Sequence, residues 1–414
     1  MDNTFVGIDL GASQTRFISD DAKIYEMGNN IKEINPDEKL RSRPWAAETW
    51  EDEVLGSLDI EIDRIEGPTT HLKKKARYLV GTLANRMGAS STPNSLQNKA
   101  EQNINYTNAI LAAALSKLFS NSDGDIKLYI ALPPIELTAR ATSEAQLTEE
   151  LIGSYVVKFN ANINRVVTFR IVSVTCVEES FLTLASFFFK PEGGFRPEAK
   201  PYVRGNVLGI DIGASTTDLG VMQDCHILEK SGETYKLGGN LVLSIIADGI
   251  RASYGYDPEK EELQAAVETG MLEQGETQIN IARLVEEAKK EFALRLVEKM
   301  QDYFTKIAIT PNKFKAVVVG GGGSMGSFTV DENGNPFETT HPMSEYIWQE
   351  FKKVSGNVPV IQVSADPRHA NINGLYIKAI VEKITAQRAE AALAPQLQKT
   401  QSTNLSDKTL RQNF

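Results

Sequence analysis

The chain has 414 residues, of which 41% are hydrophobic and 24% are charged, and its formal net charge is −10. This composition is typical of a globular protein with more than one core, and the negative charge argues against direct binding to nucleic acid phosphates. Two cysteines cannot form a disulfide framework, and we find neither a signal sequence nor a membrane-spanning apolar run, so we expect a cytoplasmic protein without a membrane partner.

The first predicted element is a β-hairpin at the N-terminus. The letters TFVGIDL and TRFIS favour strands because they are rich in β-branched and aromatic residues, and GASQ between them is typical of a turn. The pattern returns as NVLGIDI, GAST and TDLGVM, so that Gly7 and Gly209 begin equivalent stretches 202 residues apart. A single duplication at this distance predicts two homologous domains whose turns face one cleft.

These two turns have the composition of a phosphate site. Gly11 and Gly213 permit a close approach of the backbone to a ligand. Asp9 and Asp211 would face the same phosphates, which is favourable only if a hard cation such as Mg²⁺ lies between. Hydroxyl donors for anionic oxygens are supplied by Ser13, Ser215, Thr216 and Thr217. The alternative is that the aspartates are turn formers in two unrelated hairpins. A Walker-type loop is excluded because no Gly-Lys-Ser/Thr follows.

Between the two copies lie a polar insertion and a predicted helix. The insertion spans about 31 to 96 and contains Trp45, Trp50 and a basic run from Lys73, which we interpret as a solvated edge rather than a DNA site. The letters VTCVEESFLTLASFF carry the neighbouring acids Glu178 and Glu179, and the family resemblance given below implies a helix here. On a helix these neighbours point about 100° apart, so only one can face the cleft. A solvated acidic pair at a helix N-terminus is the alternative.

The second half of the chain contains three further features. KLGGNLVLSIIADGI predicts a helix that opens after Gly238 and Gly239. RLVEEAKKEF places Glu286 and Lys289 one helical turn apart, either near a ligand or as an exposed ion pair. FKAVVVGGGGSMG predicts a strand that runs into bare backbone at 320–323, where a flat nucleoside could lie, or else a tight turn.

Together these motifs resemble the actin-like ATPase superfamily, which includes actin, the sugar kinases and the heat-shock chaperones. The two repeated turns resemble its phosphate motifs, VVVGGGG its adenosine motif, and VTCVEESFLTLASFF and SADPRHANINGLYIKAI its two connecting helices. The chain is most similar to plasmid-segregation bacterial actins of the ParM type, on IKLYIALPPIEL, CVEES and NINGLY. The resemblance covers roughly residues 5 to 385.

The resemblance implies an α/β fold of two duplicated, ribonuclease-H-like lobes with ATP (or GTP) and Mg²⁺ in the cleft between them. The first lobe would span 1–200, with a small subdomain at about 31–96, and would be completed by a C-terminal helix at about 370–386. The second lobe would span 201–369, with a small subdomain at about 246–310. The segment 387–414 is Ala-, Gln- and Ser-rich and is predicted to be a frayed or disordered tail.

The resemblance also implies roles for individual residues. Asp9 and Asp211 would hold Mg²⁺, and Glu179 would orient or deprotonate the attacking water. Arg16 stands where the family usually has lysine, and arginine can still reach a phosphate. The implied nucleotide-binding residues are Gly11, Ala12, Ser13, Gln14, Thr15, Arg16, Gly213, Ala214, Ser215, Thr216, Thr217, Gly238, Gly239, Glu286, Lys289, Gly320, Gly321, Gly322 and Gly323.

The implied function is a filament-forming ATPase whose partners are further copies of itself and a DNA-binding adaptor. Nucleotide would close the cleft and promote polymerisation, and hydrolysis would weaken the filament so that attached plasmid or phage DNA is moved. Two alternatives on the same fold are a small-molecule kinase and a chaperone-like ATPase. A kinase would need an acidic base in a sugar-binding loop, which we do not find. A chaperone would need a substrate-binding domain, whereas this sequence ends about 30 residues after the second connecting helix.

Overall fold

The computed structural model describes most of the chain. The described residues are 4–11, 14–38, 55–67, 74–88, 90–94, 97–120, 124–138, 143–160, 163–275, 277–326, 328–330, 336–338, 342–355 and 359–389. Of the features named above, Ala12, Ser13, Trp45, Trp50, Lys73 and the tail from 390 lie outside the described residues. None of the helices in these ranges combines the length with the hydrophobicity that crossing a bilayer demands.

The N-terminal half is built on one mixed sheet of nine strands in the order β3-β2-β1-β7-β9-β8-β5-β6-β4. The strands are β1 (Thr4–Leu10), β2 (Gln14–Ser19), β3 (Ile24–Gly28), β4 (Ile31–Ile34), β5 (Ser57–Glu66), β6 (Lys75–Gly81), β7 (Ile126–Leu132), β8 (Gly153–Phe159) and β9 (Arg165–Glu178). The helices are α1 (Thr82–Arg86), α2 (Asn103–Ser120), α3 (Pro134–Thr138) and α4 (Ser143–Leu151), and a 3₁₀ turn at Lys99–Glu101 precedes α2.

The long strand β9 joins two parts of this sheet. Its first half pairs antiparallel with β8, and its second half pairs parallel with β7. The insertion predicted at about 31 to 96 supplies β4, β5 and β6, which continue the same sheet beyond β8. The insertion is therefore hydrogen-bonded to the main sheet, while its description as a separate subdomain stays a prediction.

The C-terminal half is built on a six-stranded sheet with the path β12-β11-β10-β16-β19, and β13 pairs with β11. Its strands are β10 (Asn206–Ile212), β11 (Thr217–Gln223), β12 (His226–Ile227), β13 (Glu233–Tyr235), β16 (Phe314–Gly321) and β19 (Val360–Val363). Two separate hairpins are β14 (Met271–Gln274) with β15 (Thr277–Asn280), and β17 (Phe328–Val330) with β18 (Pro336–Glu338). The helices are α5 (Glu179–Phe188), α6 (Gly239–Tyr254), α7 (Lys260–Thr269), α8 (Ala282–Ile307), α9 (Pro342–Ser355) and α10 (370–389).

The duplication is visible in the topology. In the first sheet an antiparallel hairpin β1–β2 is followed by the parallel strands β7 and β9, and in the second sheet the hairpin β10–β11 is followed by the parallel strands β16 and β19. Both predicted hairpins are therefore confirmed. The expected α/β fold with two duplicated halves is confirmed as well.

Two helices connect the halves, and one of them is shorter than predicted. The letters VTCVE belong to β9 rather than to a helix, because this β-branched run pairs with β7, and α5 begins only at Glu179. The second connecting helix, α10, begins at residue 370 after a 3₁₀ turn at Pro367–His369. Phe181, Leu184 and Phe188 of α5 pack on the second sheet, whereas Leu375 of α10 packs on the first.

Glycines permit the close packing of α5 on the second hairpin. Gly209 and Gly220 are paired across β10 and β11, and a Cβ at either would lie within 3 Å of Ser180. The two connecting helices also meet closely, since a Cβ at Gly374 would lie 2.4 Å from the carbonyl oxygen of Leu182. The start of α5, and with it Glu179, is thereby fixed against both the second sheet and α10.

Candidate functional site

The second predicted phosphate turn is supported by the N-terminus of α6. The Gly213 amide donates to the Thr216 carbonyl at 2.8 Å, which closes the turn. The first amides of α6 donate to the carbonyls of Gly213 and Ala214, at 2.9 and 2.7 Å. A Cβ at Gly238 would lie 2.6 Å from the Ala214 carbonyl, so this glycine is required for the close approach. Gly238 and Gly239 therefore lie against the second turn, a contact that the sequence analysis did not predict.

The predicted hydroxyl donor Thr217 is buried beneath its turn, and so is Thr15, which the resemblance implied as a nucleotide-binding residue. Thr15 and Thr217 occupy equivalent positions in the two hairpins, and both side chains are completely buried. The Thr15 hydroxyl donates to Asn29 Oδ1 at 2.5 Å, and the Thr217 hydroxyl donates to the Leu237 carbonyl at 2.6 Å. Because each donor is already used beneath its turn, the expectation that the Thr217 hydroxyl binds a phosphate is wrong for this geometry. Ser215, which accepts a hydrogen bond from Asn240, and Thr216 are half-buried.

Four carboxylates from both halves of the chain lie near one another and near Lys99. We call Asp9, Glu179, Asp211 and Asp218 the acidic cluster, and all four are buried. Glu179, Asp211 and Asp218 each offer an oxygen within 4.8 Å of the others. Asp218 is directly opposite Asp211 in the pairing of β10 with β11. Burial, and then the charge of Glu179, raises the pKa of Asp211 to about 7, and burial raises the pKa of Asp218 well above its ordinary value.

Hydrogen bonds fix the orientation of the two acids on the second sheet. Asp211 accepts from the Asn371 amide at 2.9 Å and from the Thr183 hydroxyl at 3.4 Å, so both connecting helices hold it. Asp218 accepts from the Thr234 hydroxyl at 2.6 Å. Neither Asn371 nor Asp218 was recognised as a site residue from the sequence.

Lys99 is a further site residue that the sequence analysis did not identify. Its ammonium lies 2.5 Å from Glu179 Oε1 and 3.9 Å from Asp9 Oδ1, so it links carboxylates of β1 and α5. Burial by itself would lower the pKa of Lys99, but the neighbouring charges of Glu179 and Asp9 outweigh burial and raise it above its ordinary value. No motif in the sequence marks this lysine, which lies in the short 3₁₀ turn before α2.

The two adjacent glutamates face different surroundings. Glu179 is the first residue of α5 and points to Lys99 in the acidic cluster. Glu178 is the last residue of β9, and its carboxylate accepts from the Ser180 hydroxyl at 3.1 Å and lies against Gly232. These residues therefore do not form a solvated acidic pair, and Glu179 is the one that belongs to the acidic cluster.

Arg16 lies at the first hairpin in the position equivalent to Asp218. It is opposite Asp9 in the strand pairing, with 3.6 Å between Nη1 and Asp9 Oδ2. The guanidinium also donates from Nε to Glu26 at 2.7 Å. The first hairpin thus pairs its aspartate with a cation, whereas the second hairpin pairs its aspartate with another acid.

Glu26 connects this hairpin to the beginning of α10. Its carboxylate lies 2.9 Å from His369 Nε2 and 3.3 Å from Arg368 Nη2, in addition to Arg16. The hydrogen bond from His369, followed by the contacts with Arg16, lowers the pKa of Glu26 to about 2. The bond to Glu26, together with Asp366, raises the pKa of His369.

We expect Glu26→Gln to lower the melting temperature most between pH 4.5 and 6.5, the ordinary pKa values of the two groups. The lowered pKa of Glu26 contributes stability above pH 4.5 that is lost as the pH falls through about 2. The raised pKa of His369 contributes stability below pH 6.5 that is lost as the pH rises through its folded value. Thermal melts from pH 3 to 9 on both proteins, with Glu287→Gln as an exposed control, measure the difference. A difference that does not vary with pH would contradict this origin.

The third glycine cluster is shaped by its approach to Asp211. A Cβ at Gly320 would lie 2.7 Å from Thr183 Oγ1 and 3.2 Å from Asp211 Oδ1. Gly321 has a positive φ of 54°, and a Cβ there would meet the Ile212 carbonyl. Gly322 and Gly323 continue into a 3₁₀ turn, Gly322–Ser324. The expectation that the whole loop exposes bare backbone is therefore only partly met, because Gly320 and Gly323 are buried.

The predicted pair on α8 is divided between two partners. Glu286 forms its ion pair with Lys290, at 2.6 Å, rather than with Lys289. Lys289 is completely buried, donates to the Gly326 carbonyl at 3.3 Å and lies 5.5 Å from the Tyr346 ring. Burial lowers the pKa of Lys289 to about 8. Lys289 thus ties α8 to the segment that follows the glycine cluster.

The donors of the acidic cluster fit a magnesium ion. All are carboxylate oxygens, which a hard divalent cation prefers. Burial raises the pKa of Asp211 and Asp218, as expected for acids whose negative charge is not fully neutralised by nearby cations. Asp9 is linked to these acids by Lys99, whose ammonium lies near both Asp9 and Glu179.

Residues 209–327 match the family model described as archaeal actin homologue MreB-like, C-terminal. No curated protein sequence gives a match to the chain. Among solved structures, actin-like protein Alp7A has a TM-score of 0.68 at 16% identity, over 94% of this chain and 100% of that chain.

Two ParM structures are also similar. A ParM from Bacillus thuringiensis with ATP has a TM-score of 0.62 at 14% identity, over 93% of this chain and 100% of its own. The ParM of a 15-stranded filament from Clostridium botulinum has a TM-score of 0.61 at 17% identity, over 91% of this chain and 99% of its own. The fold implied by the motif resemblance is thus confirmed: the chain has an actin-like fold, similar to the folds of Alp7A and ParM.

Proposed function

We propose that this chain is an actin-like ATPase that binds ATP with Mg²⁺ between its two halves and assembles into filaments in the nucleotide-bound state. The observation that carries the proposal is the acidic cluster with Lys99, in which Asp9 of the first sheet, Asp211 of the second sheet and Glu179 of the connecting helix α5 converge. Both predicted phosphate turns lie beside this cluster, since Asp9 and Asp211 are each one residue before the end of the strand that precedes a turn.

Each residue has a part that matches phosphoryl transfer, which requires positioning and charge stabilisation more than covalent chemistry. The Glu179 carboxylate orients the attacking water and accepts its proton. Lys99 holds that carboxylate at the cleft and contributes positive charge beside the phosphates. Asn371 and Thr183 keep the Asp211 carboxylate in one orientation.

Asp9 and Asp211, together with Asp218, would hold Mg²⁺. When bound, this ion neutralises part of the phosphate charge. The backbone of the two turns, Arg16 and Gln14 would contact the phosphates, and the segment 320–323 with Gly239, Glu286 and Lys289 would lie on the nucleoside side. A filament that moves plasmid or phage DNA through an adaptor is the proposed cellular role, and the net charge of −10 favours an adaptor over direct DNA contact.

Light scattering of the purified protein tests the proposal. With Mg²⁺ and ATP or a non-hydrolysable analogue, scattering should rise above a critical protein concentration and should remain low without nucleotide, because only a ligand with different affinity for the two states can shift them. Electron microscopy of the same samples should show filaments, and parallel runs with GTP establish the preferred base. Equal scattering in all conditions would contradict nucleotide-dependent assembly, and ADP release that requires a small acceptor without scattering would indicate a kinase.

A further inference from the structure

The turn that carries Lys99 is held by a buried glutamate of α3. Glu136 accepts the backbone amide of Lys99 at 2.8 Å on one carboxylate oxygen and the amide of Ala100 at 3.2 Å on the other. The Glu136 residue is only 4% exposed, and burial raises its pKa although both amide bonds oppose the rise. A carboxylate is rarely buried without hydrogen-bond donors such as these two amides, because desolvation of the charged form is unfavourable.

Helix α2 fixes the same turn from the other side. The Asn105 amide donates to the Lys99 carbonyl at 2.9 Å, and the Tyr106 hydroxyl donates to the Ala100 carbonyl. The backbone of Lys99 is therefore held by hydrogen bonds at both its amide and its carbonyl. Its side chain leaves this fixed backbone toward Glu179, so the position of the ammonium depends on the turn.

The same short helix α3 also contacts the second half of the protein. The Ile135 amide donates to the Thr234 hydroxyl at 3.1 Å, and that hydroxyl donates to Asp218 at 2.6 Å. In α3, Glu136 is thus hydrogen-bonded to the Lys99 turn, and its neighbour Ile135 is hydrogen-bonded to Thr234, the partner of Asp218. A change in the separation of the two halves would act on α3 directly.

From these contacts we infer that Glu136 is a positioning residue, which holds the Lys99 turn so that the ammonium reaches Glu179. The inference rests on the proposed function for its effect on hydrolysis, whereas the placement of Lys99 can be measured without it. Glu136 makes its hydrogen bonds to the backbone of the Lys99 turn rather than to Glu179, and it acts through Lys99.

Kinetics of Glu136→Gln test the effect on the reaction. The variant keeps one acceptor oxygen but turns an amide donor toward the second backbone amide, so the turn should shift. We expect kcat for ATP to fall about 10-fold or more, while the dissociation constant of a fluorescent ATP analogue changes by less than about 3-fold. In a Lys99→Ala background the same change should have little further effect on kcat, since residues that act through one another are not additive.

A chemical footprint of Lys99 provides a measurement that does not depend on activity. Acetylation by acetic anhydride, followed by mass spectrometry, should modify Lys99 several-fold faster in Glu136→Gln than in the parent, because the ion pair with Glu179 is loosened. Lys378, an exposed lysine on α10, serves as the internal reference, and Glu149→Gln on α4 is the matched control variant. Melting temperatures establish that both variants are folded.

The outcomes are distinguishable. Unchanged Lys99 acetylation in folded Glu136→Gln overturns the inference, whatever the kinetics. Faster acetylation with a loss of kcat that is equally large in the Lys99→Ala background overturns the route through Lys99. A parent protein without nucleotide hydrolysis contradicts the proposed function, and the footprint then still decides whether Glu136 places Lys99.

Discussion

Replacing Glu179 by alanine is expected to reduce ATP turnover by roughly 100-fold or more while ATP binding stays nearly normal, since general-base assistance matters mainly in the transition state. Filaments should still form with ATP and should persist, because the nucleotide is not converted to the state that weakens subunit contacts. Phosphate release and light scattering, recorded together on one sample, measure both effects. Glu179→Gln should behave in the same way and leaves a neutral partner for the Lys99 ammonium.

The neighbouring glutamate provides the control. The Glu178 carboxylate accepts from Ser180 and lies against Gly232, whereas Glu179 is the one paired with Lys99, so Glu178→Ala should turn over ATP much like the parent. Loss of ATP turnover in Glu178→Ala would show that Glu178, and not Glu179, orients the attacking water. If neither variant stalls, another group holds the water.

Asp211→Asn is expected to abolish hydrolysis and the Mg²⁺-dependent tightening of ATP binding, and at the same time to stabilise the protein without ligands. The pKa of Asp211 is raised by burial from its ordinary 3.8 to about 7. Between these values the folded state retains a proton that the unfolded state has released, so the free energy of unfolding of the parent falls as the pH rises. Asparagine cannot ionise and can still accept the bond from Asn371.

The melting temperature of Asp211→Asn should therefore exceed that of the parent at pH 8, by about 2–4 °C, and the gap should close toward pH 4. Calorimetry without nucleotide and metal measures this difference, with the exposed Asp302→Asn as a control that should follow the parent. A variant that hydrolyses ATP normally would contradict the assignment of Asp211. A variant less stable at pH 8 would contradict the unfavourable burial of its charge.

Local sequence patterns were sufficient for the two hairpins, whereas the two-lobed fold was predicted from the family resemblance. Strands β1, β2, β10 and β11 have strong β-forming composition and were recognisable because the pattern occurs twice. The first connecting helix was predicted too long, since an apolar run such as that before Glu179 suits a strand or a helix equally well. In the folded chain this run pairs with β7, about 45 residues earlier, and this pairing makes it a strand.

Of the site residues that the sequence analysis missed, Asp218 could have been recognised from the sequence, whereas Lys99 could not. Asp218 ends the repeated motif, and alternation along a strand places it across from Asp211 once the hairpin is assumed. Lys99 could not be found in this way, because its partner Glu179 is 80 residues away and the polar segment around it has no periodic pattern. Ion pairs of this kind arise from the tertiary arrangement alone.

Arg16 and Asp218 occupy equivalent positions in the two hairpins but carry opposite charges, so the two ends of the duplicated arrangement differ electrostatically. Two identical hairpins would present the same electrostatic potential at both ends of the cleft, and an elongated ligand could then enter either way round. Here one end carries a guanidinium beside Asp9 and the other carries two acids opposite each other. A molecule with an anionic end and an associated cation therefore has one preferred orientation. The two turns are therefore not electrostatically equivalent.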